Sequence, residues 1–320
     1  MNYPKKVTVL CTAFNHEKLI RSALDGFIMQ KTTFPVEFIV HDDASTDGTA
    51  AVIREYAQKY PDRIIPIYQT ENQYSKGVPI VETFMLPVSQ GEYLAFCEGD
   101  DYWTDPMKLQ KQVDFLDAHP EYIACVHNSV MHDCTGKLPD ALVVDSDQEH
   151  DLEFEDAIKG MQYAYQLSAL VHRRIHQPAP EFCQVAMGYG FGDWPGAIRL
   201  TLLGKVRFFA EPMSTYRLMS SPTAWSADNK SVQRRIYTLD GNIAMLRAVK
   251  KEVSEEKAAL VDAQILKREF LKLELQENYR QMKKAPFEAL WAQVSKKEKA
   301  KYLVKQYLPF LYHWIQRRRG

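Results

Sequence analysis

Residues 92–105 read Glu-Tyr-Leu-Ala-Phe-Cys-Glu-Gly-Asp-Asp-Tyr-Trp-Thr-Asp, an apolar run from Tyr93 to Cys97 that delivers Glu98, Asp100 and Asp101 to its carboxyl end. A short apolar run stopped by a turn is the pattern of a buried strand, and Gly99 is expected to let the backbone turn sharply there. Carboxyl groups this close repel one another, so a fold keeps them charged only with a cation or strong donors at hand. Hard oxygen ligands at the carboxyl end of an α/β strand suit Mg²⁺ or Mn²⁺ carrying a phosphorylated ligand. The competing reading is an acidic turn capping a helix from Met107 to Leu116, because Asp105-Pro106 is a common helix start. Other segments of the chain point to the ligand site.

Outward from that strand, β-rich and helical stretches alternate. Val7 to Cys11 reads as a strand, His16 to Gln30 as a helix with Leu19, Ile20, Ala23, Leu24 and Phe27 on one face, and Val36 to Val40 as a second buried strand. Thr49 to Tyr60 follows as a helix and Arg63 to Tyr68 as a strand whose Pro66 argues for a sheet edge. Val81 to Val88 has helical character. Such alternation implies an α/β fold, a mainly parallel sheet flanked by helices on both faces, with ligands bound beyond the carboxyl ends of the strands. Tyr122 to Val130 is a further strand, Met131 to Glu153 an irregular polar segment, Trp194 to Leu203 a helix and Val206 to Ala210 a strand. From Asn229 the chain turns to long charged amphipathic helices, with Gly241 as a turn signal. A boundary near Ser226 to Lys230 is expected, with a catalytic domain over 1–226 and a helical region over 227–320.

Two more strand ends carry polar groups. The run Val7-Thr-Val-Leu-Cys-Thr-Ala-Phe-Asn-His16 ends a strand at Thr12, and small groups at Ala13 would let a flat ligand approach, with Phe14 free to stack on it. The structural alternative makes Asn15 a helix N-cap and Phe14 its staple. The run His41-Asp-Asp-Ala-Ser-Thr-Asp-Gly-Thr49 brings Asp42 and Asp43 to a turn. Ser45, Thr46 and Asp47 are assigned to capping the next helix and Asp43 to ligand contact.

Together with Glu98-Gly-Asp-Asp101, these segments make residues 6 to 226 resemble the family 2 inverting glycosyltransferases of the GT-A fold. The resemblance implies that Thr12, Ala13, Phe14 and Asn15 line the nucleotide and that Asp43 hydrogen-bonds its base. It implies that Asp100 and Asp101 form the Asp-x-Asp-type pair, Asp100 towards the ribose and Asp101 on a divalent metal, Mn²⁺ or Mg²⁺. Phe14 stands where many relatives have Tyr. In Gly190-Phe-Gly-Asp-Trp-Pro195, Asp193 takes the place of the catalytic base, although a residue just before a helix start is equally an N-cap. Trp194 would offer an apolar face to an acceptor sugar. Ala210-Glu-Pro-Met-Ser-Thr-Tyr-Arg217 resembles the closing strand of the family, but Met219 replaces a His common there, so Arg217 or Lys76 is left to contact the diphosphate.

The implied reaction moves a sugar from a nucleoside diphosphate donor, expected to be UDP-linked, to a hydroxyl of a glycan or lipid-linked acceptor. A sugar nucleotidyltransferase would need a Gly-rich, basic phosphate loop after the first strand, where this chain has Thr-Ala-Phe-Asn-His-Glu. A non-catalytic sugar-nucleotide-binding or assembly protein would have no need of Asp43, Asp100, Asp101 and Asp193 together.

The net charge of −1 offers nothing to a nucleic acid. It is unevenly placed: Gln281 to Gly320 holds ten Lys/Arg against Glu288 and Glu298, near +8, which leaves the rest near −9. Within that tail Leu303, Tyr307, Phe310, Leu311, Trp314 and Ile315 recur at helical spacing around Pro309. A basic amphipathic segment of this kind lies on an anionic membrane surface or packs on protein. The five cysteines are odd in number and scattered, the usage of a reduced compartment. Cys125-x-His127 and His132-x-Cys134 match no standard structural zinc spacing. With no secretory signal read ahead of Val7, the expected location is cytoplasmic, peripheral at the inner face of the membrane.

Overall fold

A computed structural model describes residues 3–218 and 231–308. The expected boundary at Ser226 to Lys230, Met219 and the tail from Pro309 onward fall outside them. The chain divides into two compact units, Met1–Cys183 with Gly190–Asp228, and Gln184–Tyr189 with Asn229–Gly320.

The first unit is built on β1 (Lys5–Ala13), α1 (Ile20–Ile28), β2 (Val36–Asp42), α2 (Thr49–Lys59), β3 (Ile64–Tyr68), β4 (Gly91–Phe96), β5 (Tyr102–Trp103) and α3 (Lys108–Ala118). It continues through β6 (Tyr122–Asp133), β7 (Ala141–Leu142), β8 (His150–Asp151), α4 (Phe154–Lys159), β9 (Val171–Arg173), α5 (Glu181–Gly188), α6 (Asp193–Leu203) and β10 (Lys205–Leu218), with part of α5 falling in the second unit. One sheet runs in the order β3-β2-β1-β4-β9-β6-β10-β5, with β7 beside β6 and β8 beside β10. β1 to β4 are mutually parallel where they pair, β6 runs parallel to β10, and β9 and β5 are antiparallel to their neighbours. This is the α/β architecture that the alternating pattern implies, although the sheet is mixed rather than mainly parallel, because β5, β7, β8 and β9 pair antiparallel to their neighbours.

All seven residues of β2 are buried, as expected of a central strand covered on both faces. Pro66 does lie in the edge strand β3. Phe27 of α1 stacks on Phe38 of β2, one contact in a core shared by α1, α2, α3 and the sheet. β10 joins the expected strand Val206 to Ala210 with the stretch to Arg217 that resembles a closing strand, because its pairing with β6 shifts register around Phe209, Pro212 and Ser214 rather than stopping. α1 begins at Ile20, later than the expected His16, after a turn in which the amides of Leu19 and Ile20 both donate to the carbonyl of His16 (2.8 Å).

In the second unit, helices Val232–Lys251 and Glu255–Leu275 are N-capped by Ser231 and Ser254, whose hydroxyls accept from the amides of Arg234 and Lys257. Gly241 is no turn but a close approach within the first of these helices: a Cβ there would come within 2.6 Å of the Tyr189 ring. A small core of Phe270, Tyr279, Met282, Phe287 and Tyr302 follows. In helix Lys296–Tyr307 the buried residue is Tyr302, while Leu303 and Tyr307 of the expected apolar stripe are exposed.

Candidate active site

Three parallel strand ends are stitched together at one point. The carbonyl of Ala13 accepts from the amide of Asp43, and that of Thr12 from Gly99, so the ends of β1, β2 and β4 share an edge. Thr12 and Phe14 are half-buried there and Ala13 is buried. Asn15 caps no helix: its amide donates to Ser45 Oγ (2.9 Å) and its Oδ1 accepts from the amide of Thr46 (2.8 Å). Of the three residues assigned to capping α2, only Asp47 serves its start, accepting from Thr49 N at 3.0 Å. Gly99 does stand in the turn that follows β4, as expected, and it needs no left-handed dihedral to do so. It is required by space, because a Cβ would meet Ile20 Cδ1 at 2.8 Å and His16 Nδ1 at 3.0 Å.

The acidic turn that follows β4 is held from behind by Arg217. Its amide donates to Asp101 Oδ1 (2.9 Å), its Nη1 to the carbonyl of Asp100 (2.8 Å) and its Nη2 to Ser22 Oγ (3.1 Å), while the guanidinium lies 4.3 Å over the Tyr102 ring. Arg217 is thus a clamp on the turn. Lys76, the other expected diphosphate contact, pairs with Glu71. Beneath the turn, buried Trp103 donates to the carbonyl of Ser168 (2.9 Å), and the ammonium of fully buried Lys108 lies 4.2 Å over its ring and 2.8 Å from Gln112 Oε1. Burial pulls the Lys108 pKa down to about 7. Nothing in the sequence pattern distinguishes Lys108 from an exposed helical lysine.

Four carboxyl groups converge electrostatically. Burial, followed by repulsion from Asp100, Asp193 and Asp101, pushes Glu98 well above the usual carboxylate range. Asp101, only 1% exposed, is raised by burial and then by Asp100, against a smaller opposing pull from its hydrogen bond with Arg217. Tyr216 beside them is pushed up by burial and by the same four acids, a residue the sequence pattern left without a role. Asp193 is the first residue of α6, and its carboxylate accepts no hydrogen bond from any described residue, so it does not cap the helix. The surrounding protein raises its pKa too, but the residue is exposed, and solvent at the carboxyl moderates that rise.

The donor set suits a hard divalent cation: oxygens only, crowded and mutually repelling. Among the described residues no three His, Cys, Asp or Glu side chains are gathered into a metal cage. One or two carboxylates with a diphosphate supplying the remaining oxygens is a usual arrangement for Mg²⁺, and Asp101 supplies a carboxylate of that kind. Trp194 is a correction: it is 7% exposed and its indole donates to the carbonyl of Ala157 (2.7 Å), so it packs the fold and offers no face to a sugar. Asp43 is 2% exposed, with its two carboxylate oxygens accepting from the amides of Gln73 (2.8 Å) and Tyr74 (3.0 Å).

Residues 8–140 match the model of glycosyl transferase family 2. An uncharacterized protein of Mycobacterium tuberculosis is 39% identical over 212 residues, 66% of this chain and 58% of that protein, so the chain spans less than two thirds of that relative. The Escherichia coli UDP-Glc:alpha-D-GlcNAc-diphosphoundecaprenol beta-1,3-glucosyltransferase WfaP is 30% identical over 118 residues, 37% of this chain and 44% of that protein. Among solved structures, S. aureus TarS 1-349 in complex with UDP superposes with a TM-score of 0.54 at 14% identity, covering 93% of this chain and 78% of that one. The mannosyltransferase PcManGT from Pyrobaculum calidifontis, in complex with GDP-Man and Mn²⁺, gives 0.54 at 16% identity, covering 97% and 83%. At such identities the superpositions speak for the fold, which is GT-A.

Proposed function

From the premise that residues 8–140 belong to glycosyl transferase family 2, we propose that this chain is an inverting glycosyltransferase. It moves a sugar from a nucleoside diphosphate donor, UDP-linked, to a hydroxyl of a glycan or lipid-linked acceptor. The observation that carries the reading is the convergence of Glu98, Asp100, Asp101 and Asp193 beyond the carboxyl end of β4. In this reading residues 1–226 form the catalytic domain and 227–320 a helical appendage.

Thr12, Ala13, Phe14 and Asn15 border the nucleotide, Asp43 takes its base, and Asp100 faces the ribose. Asp101 would hold the divalent ion, Mn²⁺ or Mg²⁺. When bound, that ion neutralises charge on the departing diphosphate as a Lewis acid. Asp193, free of hydrogen bonds to described residues, takes the proton of the acceptor hydroxyl as its oxygen attacks the anomeric carbon from the face opposite the diphosphate. The C–O bond to the acceptor forms as the bond to the diphosphate oxygen breaks, with inversion and no covalent enzyme intermediate. Neither an assembly role nor nucleotidyl transfer explains an open carboxylate placed beside the acidic turn.

A panel of nucleotide sugars, scored by thermal shift with and without Mn²⁺, tests the reading. Selective stabilisation by one UDP-sugar, and release of UDP on adding a polyprenyl diphosphate-linked glycan, are the expected results. Stabilisation by no nucleotide sugar would remove the proposal.

The basic tail is proposed to make the protein peripheral to an anionic membrane surface. No helix among the described residues is long and apolar enough to cross a membrane. Exposed Leu303 and Tyr307 beside the lysines of helix Lys296–Tyr307 support the reading. The full chain is expected to float with vesicles containing anionic lipid at low salt, and a chain ending at Lys284 to stay below. Equal flotation of the two forms would refute it.

A further inference from the structure

The segment 71–77 is a self-bonded turn. Ser75 N donates to Asn72 Oδ1 (2.7 Å), Ser75 Oγ to the carbonyl of Asn72 (3.0 Å), and Gly77 N to the carbonyl of Tyr74 (2.9 Å), while Lys76 pairs with Glu71. These bonds tie the turn to itself. Asp43 anchors one side of it, through the amides of Gln73 and Tyr74 already described and through its own carbonyl, which accepts from Asn72 Nδ2 (3.2 Å). On the other side the Tyr74 hydroxyl donates to the carbonyl of Gly190 (3.2 Å), 116 residues away in the chain. Gly190 is left-handed (φ 82°) and lies three residues before Asp193. A continuous path therefore runs from the carboxylate read as the base contact, through one tyrosine, to the turn that presents the carboxylate read as the proton acceptor.

We propose that segment 71–77 is a strap coupling the donor side of the site to the acceptor side, with Tyr74 as the positioning residue whose hydroxyl holds the Gly190–Asp193 turn. The inference rests on the roles given above to Asp43 and Asp193. Asp43 is 2% exposed, so a base N–H reaches the remaining lone pairs of its carboxylate only if the segment that Asp43 anchors moves aside. Donor binding thereby shifts the strap and, through Tyr74, the placement of Asp193. Without the hydroxyl, the Gly190 turn keeps its covalent path but loses its tether.

Hydrogen exchange on the full chain without ligand tests the tether directly. In Tyr74→Phe, amides of 189–194 are expected to exchange about fivefold faster, the effect of one neutral hydrogen bond, while the melting temperature stays put. Asp43→Asn loosens the strap from its other end and is expected to speed exchange over both 72–77 and 189–194. With the donor found by the thermal-shift panel, Tyr74→Phe is expected to lower kcat about fivefold with donor KM unchanged, a split that lost stability alone would not produce. Exchange over 189–194 equal to wild type in Tyr74→Phe overturns the strap. Full turnover by Asp193→Asn would overturn the base assignment instead, and the exchange measurement would still decide whether the tether exists.

Discussion

Asp101→Ala is expected to lose about three orders of magnitude in Mn²⁺- or Mg²⁺-dependent turnover, the scale of several kcal/mol of charge stabilisation at the leaving diphosphate. Excess cation should not restore it, and the rise in melting temperature that Mn²⁺ gives the wild type should vanish; a ligand at 100 times its Kd contributes about 2.7 kcal/mol. The metal-free variant is expected to melt no lower than wild type at pH 8, which separates a lost ligand from a broken fold. Burial and Asp100 raise the Asp101 pKa in the folded state. An unfolded aspartate ionises near pH 3.9, so between that value and the folded pKa the native protein binds more protons. Stability from this group therefore falls as pH rises through the window, and above it the wild type carries a penalty that alanine removes. The lost acceptor for the Arg217 amide works in the other direction. Near-wild-type turnover of the variant in excess chelator would sink the metal assignment.

Strands such as β2 and β4 were legible because burial on both faces leaves an apolar run that a short window captures. That β10 is one strand was not, since Val206 to Ala210 and the stretch Ala210 to Arg217 read as separate pieces and only the pairing with β6 shows that register shifts around Pro212 join them. The site divides the same way. Clustered Asp residues at strand ends announce themselves, but the direction of a side chain does not. Trp194 follows Asp193 and looks like a sugar platform, yet the helix turns it inward onto the carbonyl of Ala157. Arg217 reads as a diphosphate contact alone, and nothing in the sequence shows that it also bonds Asp100 and Ser22, 117 and 195 residues away. Tyr74 carried no signal because its partner is a backbone carbonyl, which no residue type reveals.

Asp193→Asn is expected to bind donor normally and to lose roughly 10²- to 10⁴-fold in kcat, the usual contribution of a positioned general base. Asparagine keeps the size of the side chain at the first position of α6, so the fold should survive. Removing a negative charge from a helix N-terminus weakens the helix by only about 0.3–1 kcal/mol. The same charge raises the pKa of Glu98 and Asp101, so its removal relieves the acidic turn and offsets part of that cost. Donor affinity measured by calorimetry with Mn²⁺ should therefore be unchanged or slightly tighter. The pH dependence supplies a second signature. A base works only when deprotonated, so wild-type kcat should climb with pH until the carboxyl, raised by its surroundings, has lost its proton. The asparagine variant should lack that rising limb and show a flat profile in its residual rate. Unchanged specific activity per folded molecule would remove the base assignment, and the acceptor's proton would need another destination among the acids at the end of β4.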